Sequence, residues 1–70
     1  MKILGISAYY HDSAICLIED GKILYAAQEE RFSRIKNDEN FPILAIQNCM
    51  SELQISLNDI DTIVYYEKPF

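Results

Sequence analysis

His11, Asp12 and Ser13 are consecutive and place an imidazole, a carboxylate and a hydroxyl at one point of the chain. A histidine with an ordinary pKa near ~6.5 can take or give a proton at neutral pH. Three hydrogen-bonding groups between two apolar runs would sit at a strand mouth, where α/β sheets commonly bind ligands. The same tripeptide also suits a plain turn in which Asp12 and Ser13 bond their own backbone and His11 is merely exposed. A second polar run, Glu29-Glu30-Arg31-Phe32-Ser33-Arg34-Ile35-Lys36-Asn37-Asp38, sets three cations within six positions. Arginine forks and a lysine point charge could grip a phosphate or carboxylate. The alternative is a solvated loop whose surface ion pairs contribute about 0–1 kcal/mol each. Neither a G-x-x-x-x-G-K-[ST] nor a G-x-G-x-x-G phosphate loop is present. One histidine and scattered carboxylates lack the spacing of a metal site.

The elements that must position these residues are short. Lys2 to Ala8 reads as a strand, with Gly5 marking a close backbone approach or a bend. Tyr9 to Asp12 is a turn, and Ser13 to Ile18 is a second strand. Its near-continuous apolar character implies burial on both faces. Asp20-Gly21 signals a hairpin into a third, antiparallel strand, Ile23 to Ala27. Gln28 to Asn40 shows no apolar period, and Phe32 and Ile35 are its possible anchors. Phe41-Pro42 opens a helix, because proline loses nothing in the first turn, and Asn40 is the expected cap. Ile43, Ile46, Met50, Leu53 and Leu57 recur at spacings of three and four on one helical face. Ala45 and Cys49 widen that stripe. The helix is expected to end near Gln54, with Leu57 packing from the next turn. Thr62 to Tyr66 is β-branched and aromatic and reads as a fourth strand. The order β-β-β-α-β makes that strand parallel to one of the first three.

Composition limits the function classes. The chain has 70 residues, half hydrophobic and 24% charged, with a net charge of −5. Such a chain folds, but its own core is marginal at this size. Excess acid argues against a nucleic-acid-binding face. No apolar run approaches the ~18 residues of a membrane span. Cys16 and Cys49 form no C-x-x-C pair and are expected to be reduced core residues, as in a cytoplasmic protein. A parallel sheet needs helices on both faces, and one helix is available here. Residues 1–70 are therefore expected to be the amino-terminal portion of a larger domain.

The strings Gly5-Ile-Ser-Ala-Tyr-Tyr-His11-Asp12-Ser13-Ala14, Glu19-Asp20-Gly21 and Ala27-Gln-Glu-Glu-Arg-Phe-Ser-Arg34-x-Lys36 resemble the opening of the O-carbamoyltransferases. That family includes nodulation-factor and antibiotic-tailoring enzymes. Phe41-Pro42-x-x-Ala45-Ile46, Asp59-Ile60-Asp61 and Tyr65-Tyr66-Glu67-Lys68-Pro69 extend the resemblance over almost the whole chain. It implies the β-β-β-α-β opening of an α/β, actin/hexokinase-like (ribonuclease H-like) ATPase domain, followed in the full-length enzyme by a smaller carbamoyl-phosphate-handling domain. It also implies that carbamoyl phosphate and ATP form a carbamoyl-adenylate, whose carbamoyl group passes to a hydroxyl of a sugar or natural product. The divalent metal, iron, and most nucleotide contacts would belong to later sequence, so neither is expected bound to these residues.

Residue by residue, the resemblance makes His11 the active-site base and Asp12 a candidate to orient its ring. Arg34 and Lys36 become candidates to hold phosphate or developing negative charge, with Glu30 steadying one of them. Family members usually carry histidine where this chain has Asn37, so that role does not transfer. The isolated chain is expected to be inactive and to self-associate through its unfinished sheet. Two rivals remain at this point. One is a piece of a sugar kinase of the same fold, disfavoured because the first turn lacks an Asp-x-Gly-Thr-like loop. The other is a small non-catalytic binding module.

Overall fold

Apolar side chains at alternate positions build the first two strands. The computed structural model describes residues 1–8, 12–36 and 38–66. Strand β1 (Lys2–Ser7) pairs antiparallel with β2 (Ala14–Glu19), which sets Leu4 opposite Leu17 and Ile6 opposite Ile15. These four are buried and form the centre of the core. Successive strand residues point to opposite faces, so Leu4, Ile6, Ile15 and Leu17 share one. Removing a leucine or isoleucine side chain from water contributes about 1.5–3 kcal/mol.

Asp20 and Gly21 both take positive φ, 51° and 83°, the left-handed pair that a two-residue hairpin requires. The turn leads into β3 (Lys22–Gln28), antiparallel to β2, with a register irregularity at Leu17/Ile18. The turn is tied down by the terminal ammonium on Asp20 Oδ1 (3.0 Å), and Lys2 Nζ bonds Glu19 Oε2 (3.0 Å) across the strand pair.

Glu30–Ser33 forms a single helical turn, α1, in the stretch that showed no apolar period. Phe32 packs against the core as expected, whereas Ile35 is exposed. Helix α2 (Ile43–Leu53) begins one residue after Pro42, which stands at the cap position. It ends as expected, with Gln54 in the left-handed conformation (φ 55°) and Ile55 N–H returning to the Met50 carbonyl at 3.0 Å. A 3-10 turn (Leu57–Asp59) follows, closed by Ser56 N–H on Asp59 Oδ2 at 2.8 Å. Strand β4 (Thr62–Tyr66) then pairs parallel with β1, giving a mixed sheet in the order β3-β2-β1-β4.

Several expectations change on folding. The face that α2 buries is centred on Ala45 and Cys49, with Ile46, Met50 and Leu53 beside them. Ile43 is 51% exposed and Leu57 60% exposed, so both ends of the anticipated stripe lie outside the contact. The reason is close packing: small side chains at the centre let the helix approach the sheet. Ile55 and Ile60, rather than Leu57, complete the core beyond the helix. Asn40 does not cap α2; its side-chain amide bonds Asp38 Oδ1 at 2.9 Å. Strand β2 is covered on one face only, and Cys16 is half-buried where Cys49 is buried. Among the described residues no helix is long and apolar enough to cross a membrane.

Candidate functional site

The corner between β1 and β2 is held by main-chain bonds that reach across the fold. Ser13 is buried, its N–H donates to the Asp38 carbonyl at 2.7 Å, and its carbonyl accepts the Glu29 N–H at 2.7 Å. These two bonds bring together the two segments that the sequence singled out. Asp38, the partner that holds the corner, lies two positions after Lys36 in the chain. Asp12 enters Ser13 with φ 40°, a left-handed conformation that aspartate tolerates better than most residues. Asp12 Oδ1 and Ser13 Oγ are buried without a hydrogen-bond partner among the described residues. His11 and Asn37 lie outside the described residues.

Buried acids organise what surrounds this corner. Glu29 lies at the end of β3, and its Oε1 and Oε2 accept the N–H groups of Ala45 (2.8 Å) and Leu44 (3.1 Å). Those are the third and second residues of α2, whose N–H groups have no partner within a helix. The positive end of the helix favours the carboxylate there. Asp38 is also buried, and its Oδ1 accepts Asn40 N–H at 2.9 Å. The Ser33 hydroxyl, and after it the Asn40 backbone, hold the Asp38 carboxyl below its usual range. Ser33, Glu29 and Asp38 thus join α1, β3 and α2 around Ser13. Sequence reasoning assigned none of the three a role. Their partners lie up to 25 positions away, and local spacing carries no signal of that kind.

The other expected site residues lie on the rim. Glu30 opens α1 and is half-buried. Arg34 takes φ 66° at the end of α1, where its N–H bonds the Glu30 carbonyl at 2.8 Å. The side chains of Arg34 and Lys36 are exposed.

A separate cleft of about 320 Å³ opens between β3 and the helices, and Tyr25, Arg31, Phe32 and Asn48 help to line it. It shares no lining residue with the corner. Tyr25 OH donates to Asn48 Oδ1 at 2.6 Å, and burial pushes the phenol pKa up. Among the described residues no group of three His, Cys, Asp or Glu side chains could hold a metal ion.

Comparison with known proteins places this sequence in a family. The family model described as carbamoyltransferase N-terminus matches residues 2–70. An uncharacterised protein of Synechocystis is 60% identical over 67 residues, covering 96% of this chain and 11% of the relative. Nodulation protein NolNO of Sinorhizobium fredii is 40% identical over 60 residues, 86% of this chain and 9% of the relative. An uncharacterised 19.2 kDa protein of Rhizobium etli is 38% identical over 60 residues, which is 35% of its length. The chain therefore spans about a tenth of the length of the first two relatives. A family match that runs through the sequence from His11 to Ser13, the basic run and β4 makes this chain a member of the carbamoyltransferase N-terminus family, the amino-terminal part of an O-carbamoyltransferase.

Proposed function

We propose that the full-length protein transfers a carbamoyl group from carbamoyl phosphate, by way of an ATP-derived carbamoyl-adenylate, to a hydroxyl of a sugar or natural product. The family match over residues 2–70 carries this reading. Residues 1–70 would form the start of an actin/hexokinase-like ATPase domain. The antiparallel β1–β3 meander, the crossover helix and the parallel β4 support that assignment. ATP-dependent chemistry of this kind belongs in the cytoplasm.

In the transfer step His11 accepts the proton of the acceptor hydroxyl as its oxygen attacks the carbamoyl carbon. The new C–O bond forms, the bond from that carbon to the phosphate oxygen breaks, and AMP leaves. General-base help of this kind contributes about 10²–10⁴ in rate. Ser13, two positions after His11 in sequence, is held on both sides by Asp38 and Glu29. Arg34 and Lys36 are placed to meet negative charge, with Glu30 at the base of α1. The iron that the family resemblance implies would be held by later sequence, and among the described residues no group of three His, Cys, Asp or Glu side chains could hold a metal ion. No step is routed through it.

The test is to incubate the full-length protein with ATP, carbamoyl phosphate and a divalent metal and to resolve the nucleotide products. AMP with pyrophosphate is the expected result. ADP as the product would replace this reading with a kinase.

A further inference from the structure

We propose that the cleft between β3, α1 and α2 binds a free α-amino acid with an apolar side chain, taking its carboxylate on Arg31 and its ammonium on Glu52. Three elements bring the lining together. Tyr25 stands opposite Leu17 in the β2–β3 register, so its side chain leaves the sheet on the α2 face. Asn48 and Glu52 are one helical turn apart on α2 and share a side of it. Helix α1 adds Arg31 and Phe32. The rings of Tyr25 and Phe32 pack against the core, which fixes the apolar part of the wall. The cleft of about 320 Å³ stands at the low end of small-molecule sites, which run to about 1,000 Å³. That size suits a single amino acid rather than a sugar chain.

The polar groups decide what enters. Tyr25 OH gives its only proton to Asn48 Oδ1 at 2.6 Å. The phenol oxygen is then an acceptor, and the Asn48 amide protons have no partner among the described residues. The Arg31 guanidinium and the Glu52 carboxylate bring opposite charges to the same cleft, and both side chains are exposed. They form no ion pair with each other, and neither pairs with another described residue. Burial raises the Tyr25 pKa first, the charges of Cys49 and Glu52 add to it, and Arg31 opposes them, so both rim charges are felt at the phenol. An anion alone would meet the carboxylate, and a cation alone would meet the guanidinium. A zwitterion satisfies both, and a free α-amino acid carries its ammonium and carboxylate on one carbon. Its apolar side chain then lies on the two rings. The site shares no lining residue with the corner.

Isothermal titration of the full-length protein with L-phenylalanine tests this. Saturable binding is expected. Hydrocinnamate, which lacks the ammonium, and phenethylamine, which lacks the carboxylate, should each bind at least roughly tenfold more weakly. Arg31→Gln and Glu52→Gln change exposed side chains and should leave urea unfolding where it was. Arg31→Gln is expected to erase the preference for L-phenylalanine over phenethylamine, and Glu52→Gln the preference over hydrocinnamate. No saturable heat with L-phenylalanine would overturn the proposal. Equal affinity for the three compounds, or preferences that survive both substitutions, would overturn it as well.

Discussion

Glu29 Oε1 accepts the N–H of Ala45 at 2.8 Å, across 16 positions of sequence and from the end of a strand to the first turn of a helix. Its second oxygen takes the N–H of Leu44. One buried side chain therefore does the work of a local helix cap and fixes where α2 stands on the sheet. The cap is remote because Pro42 occupies the local cap position and makes no side-chain hydrogen bond there.

Glu29→Ala removes two charge-assisted bonds and leaves two helix N–H groups without a partner. A loss of about 2–3 kcal/mol is expected for the full-length protein, with Glu29→Gln costing less because one acceptor remains. Urea unfolding measures the loss. Amide exchange at Leu44 and Ala45 should accelerate in both variants, and unchanged exchange there would show that the cap is dispensable.

Asp38 gives the fold an acid limb. Its carboxyl is held below the ordinary 3.8, first by Ser33 and then by Asn40. A depressed carboxylate contributes stability that is present above the ordinary value and is lost as pH falls through the lowered one. Ser33→Ala is expected to move the Asp38 carboxyl back up in an NMR titration and to shift acid unfolding to higher pH. A titration curve unmoved by the substitution would exclude Ser33 as the main cause.

Cys49 acts at the other end of the pH scale. Burial, and then the charge of Glu52, raises its thiol above the ordinary 9.0. The unfolded chain ionises this thiol first, so the stability it contributes holds below pH 9 and falls as pH rises beyond it. Cys49→Ala should flatten that alkaline decline. In native protein near pH 8, Cys49 should also resist alkylation, because the thiolate is the nucleophile.

In the full-length enzyme, His11→Asn is expected to spare adenylate formation and to lower transfer by about 10²–10⁴. Pyrophosphate release and carbamoylated product, followed separately, distinguish the two steps. Transfer at the wild-type rate would make His11 a turn residue.

Residues 1–70 expressed alone are expected to self-associate. Strand β4 is an edge with Ile63, Val64 and Tyr65 exposed, and an open apolar edge is a template for pairing. Sedimentation equilibrium would show association rising with concentration. A monomer across the whole range would count against it.

Local pattern was enough for the four strands, the Asp20-Gly21 hairpin, α2 and its end at Gln54, because periodicity and turn chemistry act over a few residues. The handedness of a β-α-β crossover was enough to make the last strand parallel, and the strings around His11 to Lys36 were enough for the family. The tertiary structure alone decided which strand β4 joins, and that Ala45 and Cys49 rather than Ile43 and Leu57 face the core. A stripe of apolar residues wraps far enough around a helix to allow either choice, and the depth of contact with the sheet settles it. Tertiary contacts also decided that Glu29 caps α2 and that Ser13 hangs from Asp38. Those bonds join residues brought together by the whole fold, and their energy depends on burial that no short stretch of sequence can express.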